Sequence, residues 1–139
     1  MRNSLRGIGP VRVVIMDDNL VDAEEIGLTH DRLEAEVELQ LRRNGVPLTN
    51  ETTSYPVLYV TASVGNEEVG FRIFYVTVEL HQGVVTMTST QQAMYLATWR
   101  RASFGAWPNA QVARDNIRDT LSQFVDIFSN DYLAVNPQP

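Results

Sequence analysis

This chain of 139 residues contains no cysteine and no lysine, and its only histidines are His30 and His81. Without cysteine there is no thiol nucleophile, no thiolate zinc site and no disulfide. Without lysine there is no Schiff-base chemistry, no phosphate-loop lysine and no lysine general base. Neither histidine has a second histidine at metal-ligand spacing, and no serine sits in a nucleophile elbow. A basic footprint is also missing: the net charge is −6 and the pI is about 4.8, with every cation an arginine. That balance argues against nucleic acid as a partner. No apolar run approaches the roughly 20 residues that span a bilayer. The longest, residues 11–16, is interrupted by Arg12 and is of strand length. Residues 1–7 carry no hydrophobic segment behind their charges, so they are not a signal peptide as they stand; a removed leader remains an open alternative.

What is present is pattern. Ala113, Ile117, Leu121, Phe124, Val125, Phe128 and Tyr132 recur at steps of three and four after Trp107-Pro108-Asn109. That spacing predicts one long helix with a single apolar stripe. Residues 57–104 are rich in Val, Tyr, Phe and Thr and read as strands. Leu58, Val60, Ala62 and Val64 alternate with Tyr59, Thr61 and Ser63, a half-buried strand. Phe74, Val76, Val78 and Leu80 point one way on the next, which starts near Phe71. Gly83 marks a bulge or kink. Residues 93–103 form the last strand.

Residues 11–16 form a first strand, apolar enough to be central. Thr29 is a good N-cap for a helix running to about Arg43, with Leu33, Val37 and Leu41 on one face. Asn44-Gly45-Val46 ends it in Schellman fashion. Leu39 falls off the stripe.

The order is β-α-β-β-β-α. The fold class is therefore α+β: a two-layer sandwich of a four-stranded, mostly antiparallel sheet with both helices on one face. The first two strands should run parallel. One domain is expected over residues 1–139, with 1–10 a loose lead-in and 133–139 an irregular tail.

The face away from the helices is then the place for function. Tyr59, Thr61 and Ser63 reach it, as do Tyr75, Thr77 and Glu79. On the last strand either Tyr95, Ala97, Trp99 and Arg101 or the opposite set faces out. The set with Trp99 and Arg101 is favoured, because a guanidinium is hard to bury under helices. Tyr59, Tyr75, Trp99 and Arg101 form the expected interaction face, of a composition enriched at protein interfaces. A homodimer or a protein partner is expected there. A small-molecule ligand, in a pocket between sheet and helices or on this aromatic face, is the alternative.

No catalytic, cofactor or metal residues are assigned. Asp17, Asp18, Asp22, Glu24 and Glu25 form an acidic loop that lacks calcium-ligand spacing. Residues 13–19 resemble the opening of a response-regulator receiver domain. That fold also needs a later phospho-acceptor aspartate and a lysine, and there is no Asp between Asp31 and Asp115. Arg100 and Arg101, beside Trp99 and Phe104, make the one basic-aromatic cluster, with a strand-end salt bridge to the helix acids as its expected role.

Four blocks carry a wider resemblance: Gly27-Leu28-Thr29 through Leu33 to residues 37–46; Pro56-Val57-Leu58-Tyr59-Val60; residues 98–105 (Thr98-Trp99-Arg100-Arg101-Ala102-Ser103-Phe104-Gly105); and residues 128–137. Together they resemble a family of small, uncharacterised bacterial proteins, many of them with an export signal. More distantly, the element order is similar to periplasmic two-layer sandwiches of the lipopolysaccharide-assembly lipoprotein type, although the lipid-anchor cysteine is missing. The resemblance implies an envelope setting, exported or periplasmic, with a cytoplasmic one otherwise, and transfers no catalytic motif. A stand-alone chain of this kind also fits a mobile gene cassette.

Overall fold

The structure, a computed structural model, describes residues 2–16, 27–53, 55–64, 72–86, 89 and 93–138. After a 3₁₀ turn at Arg2–Leu5 the elements are β1 (Arg12–Ile15), α1 (His30–Arg43), β2 (Val57–Val64), β3 (Arg72–Thr86), β4 (Ala93–Trp107) and α2 (Ala110–Val135). The strands lie in the order β1-β2-β3-β4. β1 and β2 are parallel; β2, β3 and β4 form an antiparallel meander. This is the expected α+β sandwich with one open sheet face. The acidic residues Asp17, Asp18, Asp22, Glu24 and Glu25 and the expected strand start at Phe71 fall outside the described residues.

Each helix starts and stops for local reasons. The Thr29 hydroxyl accepts from the Arg32 amide and the Asn109 side chain from the Val112 amide, each supplying an acceptor for an orphan donor of the first turn. At the end of α1, Gly45 (φ 87°) takes the left-handed conformation. Val46 N–H then bonds Leu41 C=O and Gly45 N–H bonds Arg42 C=O, the Schellman pair, with Val46 buried beneath.

The core is one cluster. Leu33, Val37 and Leu41 of α1, with Ile117, Leu121, Val125, Phe128 and Tyr132 of α2, lie on Val13, Ile15, Leu58, Val60, Ala62, Val76, Val78 and Leu80 of the sheet. Phe124 of the expected stripe is only partly buried. The two helices are stitched by polar contacts. Gln40 Nε2 donates to Ser122 C=O and to Asp126 Oδ1, both at 2.8 Å. Asn44 donates to Asp126 at 2.9 Å and to the buried Ser129 hydroxyl at 3.1 Å. These bonds hold the Asp126 carboxyl below the usual carboxylate range.

Three expectations need correction. β1 is an edge strand, not a central one. Its apolar residues are buried by the layer above, because α1 packs back over Val13 and Ile15. The lead-in is not loose: Leu5 is wholly buried, Ser4 Oγ donates to Thr98 C=O, and Gln82 Nε2 donates to Ser4 C=O. The tail is not irregular from residue 133. α2 continues to Val135, and the Asn136 side chain accepts from Gly7 N–H and donates to Leu5 C=O, tying both ends of the chain together.

The last strand also runs on, to Trp107 rather than Ser103. Its register slips against β3 between Leu80 and Val84, and Gly83 lies within that irregularity at φ 152°. Gly105 serves close packing. A Cβ there would lie 2.6 Å from Phe74, whose ring stacks on Trp107 with centroids 6.2 Å apart.

Candidate functional site

The cross-strand register builds the open face in rows. Tyr59, Glu79 and Arg100 stand side by side across β2, β3 and β4; so do Thr61, Thr77 and Ala102, and then Ser63, Tyr75 and Phe104. Period-two alternation puts all nine on the side away from the helices. Tyr59 and Tyr75 thus stand where the sequence pattern puts them.

Trp99 does not. It is completely buried, opposite Leu80 on the helix-covered side, with its ring edge-on to Phe128 at 5.1 Å. Arg101 shares that parity, opposite Val78, yet it is exposed. The physical reason is that β4 is an edge strand. A side chain on its inner face escapes past the margin of α2, so the cost of burying a guanidinium does not arise. The opposite set of the last strand faces out, and it brings Arg100, Ala102 and Phe104 to the open face. Arg100 ion-pairs with Glu79 on the neighbouring strand; Arg101 lies near the helix acid Asp131.

The middle row has short side chains and, apart from Ser63, the outer rows have long ones. The result is a trough of about 380 Å³ lined by Tyr59, Thr61, Tyr75, Thr77, Glu79 and His81, with Met16 at one side. Polar contacts brace one rim. Arg100 Nε lies 2.9 Å from Glu79 Oε1, and His81 Nε2 lies 3.2 Å from Glu79 Oε2. The Tyr59 and His81 rings meet edge to face at 4.8 Å. Arg100 also reaches the opposite rim, its Nη2 donating to the Tyr75 hydroxyl at 2.8 Å. Thr77, between those rims, is only 4% exposed. Glu79 and Arg100 cancel each other's charge, so the trough carries little net field. Beyond it the surface is apolar: Ile73 is 45% exposed, Tyr75 36% and Phe104 70%.

Among the described residues no hydroxyl is hydrogen-bonded to His81, and its Nδ1 is buried without a partner. His81 and Glu79 form a histidine–carboxylate pair at 3.2 Å, with Tyr59 packed against the imidazole. At the start of α1, His30 Nδ1 lies 3.3 Å from Asp31 Oδ1 and 3.7 Å from Glu34 Oε2. The Asp31 side chain is fully exposed, and acids are favoured in a first helical turn by the dipole alone. A larger hollow of about 720 Å³ lies between α1 and α2, but Arg118 and Glu36 in its wall satisfy each other through two hydrogen bonds.

Sequence reasoning missed Arg100, Phe104, Ile73 and His81 as members of this face. The signal that finds them is Phe104: counting back from it by twos leaves Arg100 outside and sends Trp99 in.

No family model matches the chain, and no curated protein is significantly similar to it in sequence. Among solved structures, a minor lipoprotein from Acinetobacter baumannii is similar over 90% of this chain and 92% of that one, at 15% identity and a TM-score of 0.39. At that distance the likeness carries no information on ligand or partner.

Proposed function

We propose that this domain is a non-enzymatic interaction module that docks a protein through its open sheet face. One observation carries the reading. Phe104 stands 70% exposed in a row with Tyr75 and beside Ile73, although the same strand buries Trp99 completely. A fold able to bury a tryptophan leaves a phenylalanine in water, and exposed apolar patches of this kind mark contact surfaces. The braced ion pair beside the patch supplies the polar border such surfaces have. The reading includes a cell-envelope setting, which rests on the pattern of the sequence blocks alone, since no family model matches the chain.

A photo-crosslinking residue at position 104 tests this in cells. A discrete adduct is expected there and none from position 123, which is exposed on α2. Equal labelling from both positions, or none from 104, would refute the reading.

A second reading rests on the trough. Its volume falls within the roughly 300–1,000 Å³ of small-molecule sites, and its lining mixes aromatic walls with convergent polar groups. A ligand there would compete with protein docking on the same face.

A further inference from the structure

We infer that the occupant of this face is a second copy of the chain, with Phe104 of each copy seated in the other copy's trough. This rests on the reading that the open face docks a protein. The surface carries both halves of a contact. Phe104 is a projecting apolar knob on β4. The trough is a hollow of about 380 Å³ opening over β2 and β3. A phenyl ring needs on the order of 150 Å³ of apolar space, so the hollow has room for it.

The placement suits a two-fold axis. Phe104 lies to one side of the trough, one strand and two residues in the register from Thr77 on the trough floor. A two-fold axis lying between two facing sheets, midway between Phe104 and the trough, carries each Phe104 onto the partner's trough. Such a contact is isologous: both knobs are seated by one operation.

The chemistry agrees. Tyr59 and Tyr75 line the trough and give an incoming ring aromatic neighbours; aromatic pairs add about 0.5–1.5 kcal/mol beyond area burial. The Glu79–Arg100 pair is internally neutralised, so bringing two copies of this acidic protein together there opposes no local like charge. Area sets the strength. At about 4.8 Å between strands and 3.4 Å per residue, the face from Ile73 to His81 spans roughly 500 Å². Two copies then hide on the order of 1,000 Å² before side-chain relief is counted, at the lower end of specific interfaces. The dimer is therefore concentration-dependent and not obligate.

Two variants separate knob from socket. Phe104→Ala removes the knob and leaves the trough; Thr61→Trp fills the trough and leaves the knob. Thr61→Met replaces the latter if its circular dichroism departs from wild type. Sedimentation equilibrium of the wild type should show a monomer–dimer equilibrium, and each variant alone should dimerise about tenfold or more weakly. An equimolar mixture of the two variants should associate more tightly than either alone, because one intact knob then meets one intact socket. If both variants dimerise like wild type, the copies associate elsewhere and the proposal fails. A wild type monomeric at millimolar concentration that still gives a position-104 adduct to another protein refutes self-association and leaves the docking reading standing. Monomer without any such adduct refutes both.

Discussion

The indole Nε1–H of Trp99 donates to Oδ2 of Asp131 at 3.1 Å. That bond explains how the largest side chain of β4 lies wholly inside the sandwich: its apolar body packs on Phe128 and its polar edge meets a carboxylate on α2. Arg2 pairs with the other oxygen of the same carboxylate at 3.0 Å, so the lead-in, the last strand and the last helix meet at Asp131.

Trp99→Ala should therefore destabilise the fold by about 3–5 kcal/mol, with no selective effect on self-association. Trp99→Phe keeps most of the packing but leaves Asp131 short of a donor, and should cost about 1–3 kcal/mol. Urea denaturation measures both; a loss below about 0.5 kcal/mol for Trp99→Ala would place the side chain outside the core.

Acid should weaken this junction. Burial pushes the Asp131 carboxyl up, but the Trp99 and Arg2 hydrogen bonds outweigh it, and the group ends below its ordinary value. Asp126 is lowered in the same sense. A carboxyl depressed in the folded state stabilises the fold above its unfolded value of about 3.9, and the contribution is lost as pH falls through the depressed value. Urea midpoints of the wild type should fall steeply below about pH 4. Asp131→Asn should lower the midpoint at neutral pH and flatten that acid limb, so that the two curves converge. Parallel curves would show that Asp131 contributes nothing to the pH dependence.

Along α2 the cost of truncation should follow burial. Leu121 is 4% exposed, so Leu121→Ala should cost about 2–5 kcal/mol. Phe124 is half-buried, and Phe124→Ala should cost less, about 1–2 kcal/mol. Thermal or urea unfolding of the pair checks the order; a reversed order would mean that the helix is rotated on the sheet.

Most of the architecture is legible in the sequence because its signals are local and periodic. The caps at Thr29 and Asn109, the Asn44-Gly45-Val46 stop and the alternation in β2 each depend on a few neighbouring residues. What is not legible depends on lateral position in the sheet. Residues 11–16 read as a central strand because Val13 and Ile15 are apolar, yet that burial comes from α1 above and not from a strand on each side. Arg101 reads as outward for the sake of its charge, and that argument fails at an edge, where an inner-face side chain still reaches water. The inversion at Trp99 follows from that one step, and it hides Arg100 and Phe104 from the sequence view. The lead-in reads as loose because its anchors, Thr98 and Asn136, are distant in the chain.

Gly105→Ala should be disproportionately harmful for a single methyl group. The added carbon would lie 2.6 Å from the Phe74 ring, which is itself 4% exposed and stacked on Trp107. Overpacking of this kind costs about 1–3 kcal/mol. Pairing the change with Phe74→Leu should recover part of the loss in a double-mutant cycle; strict additivity would show that the two positions do not meet.

The open face can be watched directly by hydroxyl-radical footprinting of the wild-type protein from micromolar to millimolar concentration. Phe104 is the most exposed of the large apolar side chains among the described residues, and Tyr55, 37% exposed and on the loop before β2, serves as the internal control. Oxidation of Phe104 and Tyr75 should fall together as concentration rises while Tyr55 stays constant. Phe104 oxidised at the same rate across the whole range would contradict pairing of the open faces.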